Sequence, residues 1–366
     1  MSKRERSDDT LKDWGEFRLL NELILPILRR GSAGEELGDD CAFLSLNTAE
    51  QQLVVTTDVG PKPLVWAIGH ESYRTWGWYT VLANASDLAA AGANPLAFTT
   101  SVEAPAEMLV SNFREYFEGL DAACTAFSLK NAGGNIRVAP RFACHGTAFG
   151  TIPNSEQVGR STCQPGDSIV SIGRNGYFIS SYLKASRLGD LGQLSASERD
   201  AVLRPVPQIR EMQILRKAKV LSSATDNSDG VMGSLWNIIE RSNVGIELWL
   251  DDQKIPNYVH QEALQHGLDP KNLYLFWGDW QIIASVKSGR LDDFKRIIGQ
   301  ENINASVIGV AIHGEKGVWG IEGERRSRLR LLRNENFVDR SFNENPISHT
   351  DYLLKTSLYD TDIEAD

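Results

Sequence analysis

Apolar residues fall into two kinds of run. Helical spacing marks Phe17 to Leu28, ending near Arg30, most of Glu71 to Ala91, and Glu107 to Phe127, where Leu109, Phe113, Tyr116, Leu120 and Phe127 recur close to once per turn. Gly92 suits the C-terminal turn of the second of these helices. Short β-rich runs are Leu53 to Thr57, stopping at Asp58, then Leu96 to Val102 and Arg141 to Ile152. After a turn-rich segment from Arg160 to Gly166, a second set follows. Its strands are Ser168 to Ile172, Gly245 to Leu250, Gln281 to Val286 and Ala305 to Ile312. Its helices are Gln208 to Val220, Met232 to Arg241, and one between the last two strands. The pattern predicts a mixed α/β chain in two halves joined near residue 155. Residues 1–13 read as a disordered N-terminus, 14–155 and 156–335 as the two domains, and 336–366 as a loosely held polar tail.

Length agrees with two domains, since 366 residues exceed one ordinary domain. The formal net charge of -10 argues against general affinity for nucleic acid. Cys41, Cys124, Cys144 and Cys163 form no CxxC pair and no zinc spacing, which suits reduced thiols in a cytoplasmic protein. The charged N-terminus leads into no apolar signal segment, and the apolar stretch Tyr79 to Phe98 is broken by Asn84, Asp87 and Asn94.

The chemistry is concentrated in aspartates at element ends, each flanked by Gly, Ser, Thr or Asn. They are Asp39 and Asp40 in GDD, Asp58 in TTD, Asp87 in NASDLAAAGA, Asp226 and Asp229 in TDNSDG, and Asp279 in WGDW. Mg²⁺ prefers hard oxygen ligands and is commonly held by carboxylates against substrate phosphates. Taken singly, each aspartate is more often a turn or cap residue. No Walker A, GxGxxG or kinase HRD/DFG pattern is present.

The order of these motifs resembles the thiamine-monophosphate kinase family, within the superfamily of aminoimidazole ribonucleotide synthase. The family reads GDDAA, a strand ending TD, NLSDLAAMGA-P, GGDT, R-SGA-PGD, D-SDGL and GGEDYEL. This chain reads Gly38-Asp-Asp-Cys-Ala, Val55-Thr-Thr-Asp58, Asn84-Ala-Ser-Asp87 through Ala93 and Pro95, and Gly133-Gly134-Asn135. It continues with Arg160-Ser-Thr-Cys-Gln-Pro-Gly-Asp167, Asp226-Asn-Ser-Asp229-Gly-Val and Gly278-Asp279-Trp280. The match spans about residues 14 to 330. The resemblance implies a two-domain α/β subunit whose N-terminal sheets pair across a homodimer, with ATP between the domains. It implies Mg²⁺ at Asp39, Asp40, Asp58, Asp87 and Asp226, and catalytic roles for Asp226 and Asp229. It implies nucleotide contacts from Thr57, Asn84, Gly134, Asn135, Arg160 and Ser228.

Three positions depart from the family pattern. Asn135 replaces the GGDT aspartate, Gly278 replaces the glutamate of GGEDYEL, and Val59-Gly-Pro-Lys-Pro-Leu-Val-Trp replaces the acceptor-contact run VEGVHF. The expectation is therefore a Mg²⁺-ATP-dependent phosphotransferase acting on a small acceptor other than thiamine monophosphate. Two alternatives stay open: an amide-activating, cyclising enzyme of the same superfamily, and a non-catalytic nucleotide-binding dimer. No nucleic-acid or membrane partner is expected.

Overall fold

The structure is a computed structural model that describes residues 10–24, 26, 39–45, 50–251, 255–338, 342 and 345–360. Residues 1–9, most of the expected first helix beyond Ile24, and the loop before Asp39 lie outside the described residues. Within the expected disordered N-terminus, a helical turn already begins at Leu11–Trp14. Where a regular α-helix is expected from Phe17, Glu16–Arg18 forms a three-residue helical turn and Leu19–Ile24 a π-helical one.

Two sheets organise the chain. The first holds β1 (Ala42–Ser45), β2 (Gln51–Val59), β3 (Asn94–Ala104), β4 (Lys130–Val138) and β5 (Ala143–Pro153), in the order β1-β2-β5-β3-β4. Only β3 and β4 pair in parallel, and the helix Val110–Ala126 makes the crossover that parallel strands require. The second sheet holds β6 (Ser168–Ile172), β7 (Leu221–Asp226), β8 (Gly245–Trp249), β9 (Ile282–Val286), β10 (Ala305–Ile312), β11 (Val318–Glu322) and β12 (Arg325–Arg328). Its order is β12-β11-β8-β10-β6-β9-β7.

The helix Tyr73–Ala90 joins the two halves. It packs on β2, β3 and β5, on the helix Val110–Ala126, and across the boundary on β7 and the helix Ile209–Lys217. Covered on nearly every side, it carries apolar or small residues all round instead of one stripe. Close approach to its neighbour helix depends on two glycines. A Cβ on Gly77 would lie 1.9 Å from the Tyr116 carbonyl oxygen, and one on Gly119 would lie 1.9 Å from that of Arg74. Ser72 starts the helix by accepting from Thr75 N at 3.2 Å, and Gly92, at φ +67°, turns the chain away after its end.

Several elements carried no usable pattern. β4 is exposed at every position, so it shows no alternation of apolar and polar residues. The helices Tyr177–Leu188, Ala196–Leu203, Asn257–His266 and Pro270–Leu275 lie where no helix was expected. The strand expected to stop at Asp58 runs on through it to Val59. Residues 336–366, expected to be a loose polar tail, instead include the helix Pro346–Lys355, packed on Pro270–Leu275 and on the 3₁₀ turn Leu64–Ile68. Leu353, Leu354 and Leu358 are buried there, and the Asn272 amide donates to the carbonyls of Leu354 and Thr356 at 2.9 and 2.8 Å. Among the described residues, no helix is long and apolar enough to cross a membrane.

Candidate active site

The two sheets and the helix between them bring carboxylates from distant parts of the chain to one point. Asp40 comes from the segment entering β1, Asp87 from the last turn of the helix Tyr73–Ala90, and Asp226 from the end of β7. One ligand oxygen from each lies within 4.8 Å of the others. Asp226 is buried, and the other two are partly covered.

Arg160, in the connection between the sheets, closes one side of this cluster. Its guanidinium pairs with Asp40, with Nε 3.3 Å from Asp40 Oδ2 and 3.2 Å from Thr225 Oγ1. Its backbone N–H donates to Asp39 Oδ1 at 2.7 Å. Three carboxylates facing one guanidinium leave an excess of negative charge when all are ionised. Burial raises the pKa of Asp87 well above the usual carboxylate range, and the charges of Asp226, Asp40 and Asp58 add to the effect. Burial likewise raises Asp226, reinforced by Asp40 and opposed by Arg160. Asp40 is also raised by burial, with Arg160 pulling against the shift. Arg160 itself is disfavoured by burial, but Asp40 and Asp226 more than restore its charge.

Each carboxylate is oriented by a side chain from another element. Thr56 Oγ1 donates to Asp87 Oδ2 at 2.5 Å, Ser86 Oγ donates to Asp226 Oδ2 at 2.9 Å, and Thr225 Oγ1 donates to Asp40 Oδ1 at 3.3 Å. Sequence reasoning missed these three hydroxyls, although each lies within two residues of an aspartate it had singled out. Strand parity was an available signal: Thr56 shares a face of β2 with Asp58, whereas Thr57 faces the other way.

The remaining expected residues divide by position. Asp39 adjoins the cluster through Arg160, whereas Gly38 lies outside the described residues. Asp58 is exposed on β2, accepts from Val59 N at 3.1 Å, and acts on Asp87 through its charge. Asn84 is fully buried one turn before Asp87; its amide donates to Thr80 O at 3.0 Å, and its Oδ1 has no hydrogen-bond partner among the described residues. Exposed Ser228 and half-buried Asp229 form the turn between β7 and the helix Gly230–Ser242. Thr57 is not brought to the cluster: its hydroxyl is 2.9 Å from Gly146 O and 3.0 Å from Thr147 Oγ1. Gly134 and Asn135 are not brought there either, since they lie on the outer strand β4, three strands from β2.

Asp279 stands apart and has a structural task. Buried under the turn that follows β7, it accepts from Gly176 N and Asn227 Nδ2, both at 2.8 Å. Burial pushes its carboxyl up to about 7 against those donors. A Cβ at Gly278 would lie 1.8 Å from the Ser228 carbonyl oxygen, so the backbone here admits no side chain at that position. Trp280 packs edge-on against Tyr79 and Phe178, with centroids 4.9 and 5.6 Å apart. After β2 the chain passes Pro61 and Pro63 into the turn Leu64–Ile68, where Trp66 packs edge-on with Tyr73 and Trp76 under Lys62 Nζ, 4.6 Å from its ring.

Comparison with known proteins adds an independent line. Residues 38–152 match the family described as AIR synthase related protein, N-terminal domain, and residues 164–321 match its C-terminal domain. The chain is 30% identical to a thiamine-monophosphate kinase of Synechococcus elongatus over 65% of this chain and 73% of that one. It is 28% identical to one from Pyrococcus horikoshii over 81% and 89%. Among solved structures, AaThiL complexed with AMPPCP and TMP has the same fold, with a TM-score of 0.72 and 23% identity over 88% of this chain and 99% of that one. Thiamine-monophosphate kinase from Stenotrophomonas maltophilia aligns with a TM-score of 0.64 and 25% identity over 82% and 95%.

Proposed function

Because the chain belongs to the AIR synthase related protein family, with thiamine-monophosphate kinases among its relatives, we propose that it is a Mg²⁺-ATP-dependent kinase whose small-molecule acceptor is not thiamine monophosphate. The observation that carries this reading is the convergence of Asp40, Asp87 and Asp226. Three hard oxygen donors from separate elements, within 4.8 Å of one another, are a donor set that fits Mg²⁺. When bound, the ion would supply neutralisation of the nucleotide's phosphate charge, the main requirement of phosphoryl transfer.

The chain's own residues do the rest. Asp40, Asp87 and Asp226 would hold the ion, and Arg160 fixes Asp40 from the protein side. Asp39, bonded to Arg160 N, and exposed Asp58, which acts on Asp87 through its charge, would add carboxylates beside the ion. Asn84, one turn before Asp87, has a side-chain carbonyl oxygen with no hydrogen-bond partner among the described residues. Ser228, exposed in the turn after β7, would contact phosphate, and half-buried Asp229 beside it would take a proton from an acceptor hydroxyl. The reading includes a homodimer built on the first sheet, whose outer strand β4 is exposed along its whole length. A light-scattering mass near that of one chain, 40.6 kDa, contradicts that dimer.

The acceptor half of the site has diverged. Proline fixes φ and removes an N–H donor at both Pro61 and Pro63. The closeness of Ser228 O to Gly278 leaves no room for a carboxylate on that residue. Each lost buried polar contact costs about 1–3 kcal/mol, and roughly 1.4 kcal/mol is a factor of ten in rate. Incubation with Mg²⁺-ATP and thiamine monophosphate is expected to yield no thiamine diphosphate at enzymatic rates. Turnover of about 1 s⁻¹ or faster, the ordinary enzyme range, would make the chain a kinase of thiamine monophosphate itself.

A further inference from the structure

The hydroxyls around the carboxylates are not equivalent. Thr56 and Asp87 both belong to the first half of the molecule, so their hydrogen bond is internal to it. Ser86 sits on the helix Tyr73–Ala90 of the first half but donates to Asp226 at the end of β7 in the second. Thr225 does the reverse, reaching from β7 to Asp40. Ser86 therefore adjoins Asp87 in sequence but serves a different carboxylate, because successive helical residues diverge by about 100°.

A serine inside a helix ordinarily bonds the carbonyl one turn back. Ser86 instead gives its proton to Asp226 and is fully buried in doing so. Among the described residues, Asp226 Oδ2 accepts from Ser86 and no hydrogen bond reaches Oδ1. One oxygen is thus anchored across the boundary, and the carboxylate it orients offers an oxygen within 4.8 Å of those of Asp40 and Asp87.

We propose that Ser86 is a positioning residue for cation binding: its hydroxyl, carried by the first half, sets the Asp226 carboxylate of the second, so the three-carboxylate site is aligned only when the halves are docked as seen here. The proposal rests on the Mg²⁺ reading of the cluster and assigns Ser86 no contact with nucleotide or acceptor. Residues that orient metal ligands act through affinity, since a ligand left free to rotate must be ordered when the ion binds.

The test uses the full chain and Mn²⁺ as a spectroscopic probe of divalent-cation affinity, with melting temperature in EDTA as a second readout. Ser86→Ala is expected to weaken Mn²⁺ binding about 10- to 100-fold, while Ser86→Thr, which keeps the donor, stays within about threefold of the unsubstituted chain. Melting in EDTA is expected to fall by only a few degrees in Ser86→Ala, for one lost buried hydrogen bond, and to change less in Ser86→Thr. If Ser86→Ala does not fold, Ser86→Cys, close in size but a weak donor, probes the same hydrogen bond, and a loss of affinity in the same direction is expected. Unchanged Mn²⁺ affinity in the alanine variant overturns the proposal and leaves the Mg²⁺ reading standing. Equal loss in the alanine and threonine variants assigns Ser86 to packing alone and also overturns it. A chain that binds no divalent cation even with Ser86 intact overturns both.

Discussion

Asp87→Asn is expected to reduce ATP-dependent turnover by about 10²–10³-fold or more, as losing one group that stabilises transition-state charge commonly does. The same substitution is expected to raise the melting temperature in EDTA at neutral pH. Asp87 lies where burial and the charges of Asp226, Asp40 and Asp58 all disfavour its ionised form. Its folded pKa is raised above the unfolded value, so the folded chain retains the proton to higher pH than the unfolded chain does. Stability from this group is therefore lost as pH rises above about 4, and by neutral pH the carboxyl opposes folding. Asparagine keeps the shape, can still accept from Thr56 through its amide oxygen, and carries no charge. A gain of 1 kcal/mol raises melting by about 2–4 °C in domains of 150–250 residues, and a shift of at least that size is expected at pH 7–8. Near pH 3 the gain should vanish, because the aspartyl carboxyl is then protonated in both states. A variant that stays active, or that melts lower than the parent in EDTA at pH 7–8, contradicts this account of the cluster.

The opposition between stability and function at Asp87 also explains which parts of the site were legible in the sequence. Buried like charges are rare without a reason, so an ordered series of aspartates beside small polar residues was readable as a group. Its three-dimensional core proved narrower than that series. Asp40, Asp87 and Asp226 meet, Asp58 acts from the rim, and Asp279 is spent on holding Gly176 and Asn227. The resemblance implies a nucleotide contact at Thr57, yet alternation along β2 turns it to the other face and presents Thr56 to Asp87. The hydroxyls of Ser86 and Thr225 work across the boundary between the halves, a relation that no local pattern encodes.

Fold legibility followed the same logic. β6 and β10 occupy the residues expected of them, because buried strands of β-branched residues bounded by turns leave a sharp trace. The helix Tyr73–Ala90 was readable from its length despite having no apolar stripe. β4 was not readable, since an outer strand exposed at all positions has neither alternation nor a buried run. In the C-terminal segment, Leu353, Leu354 and Leu358 stand among polar residues, and average polarity concealed the apolar face they form. That segment returns to pair Leu329 with Tyr359 and to cover Pro270–Leu275, contacts far apart in sequence.

The central claim is that this cluster binds ATP through a divalent cation, and ATP affinity with and without the cation tests it most directly. Without a cation, Asp40, Asp87 and Asp226 would confront bound phosphates with like charge, and Arg160 is already engaged by Asp40. With Mg²⁺ present, the same oxygens would become ligands and coordination would replace the repulsion. Calorimetric titration of the full chain should therefore show ATP binding in Mg²⁺ and at least about 100-fold weaker binding in EDTA, a difference of roughly 2.7 kcal/mol. The corresponding thermal stabilisation should be much larger with the metal, because a ligand raises stability with the logarithm of its concentration over its dissociation constant. Equal ATP affinity in Mg²⁺ and in EDTA would contradict the account.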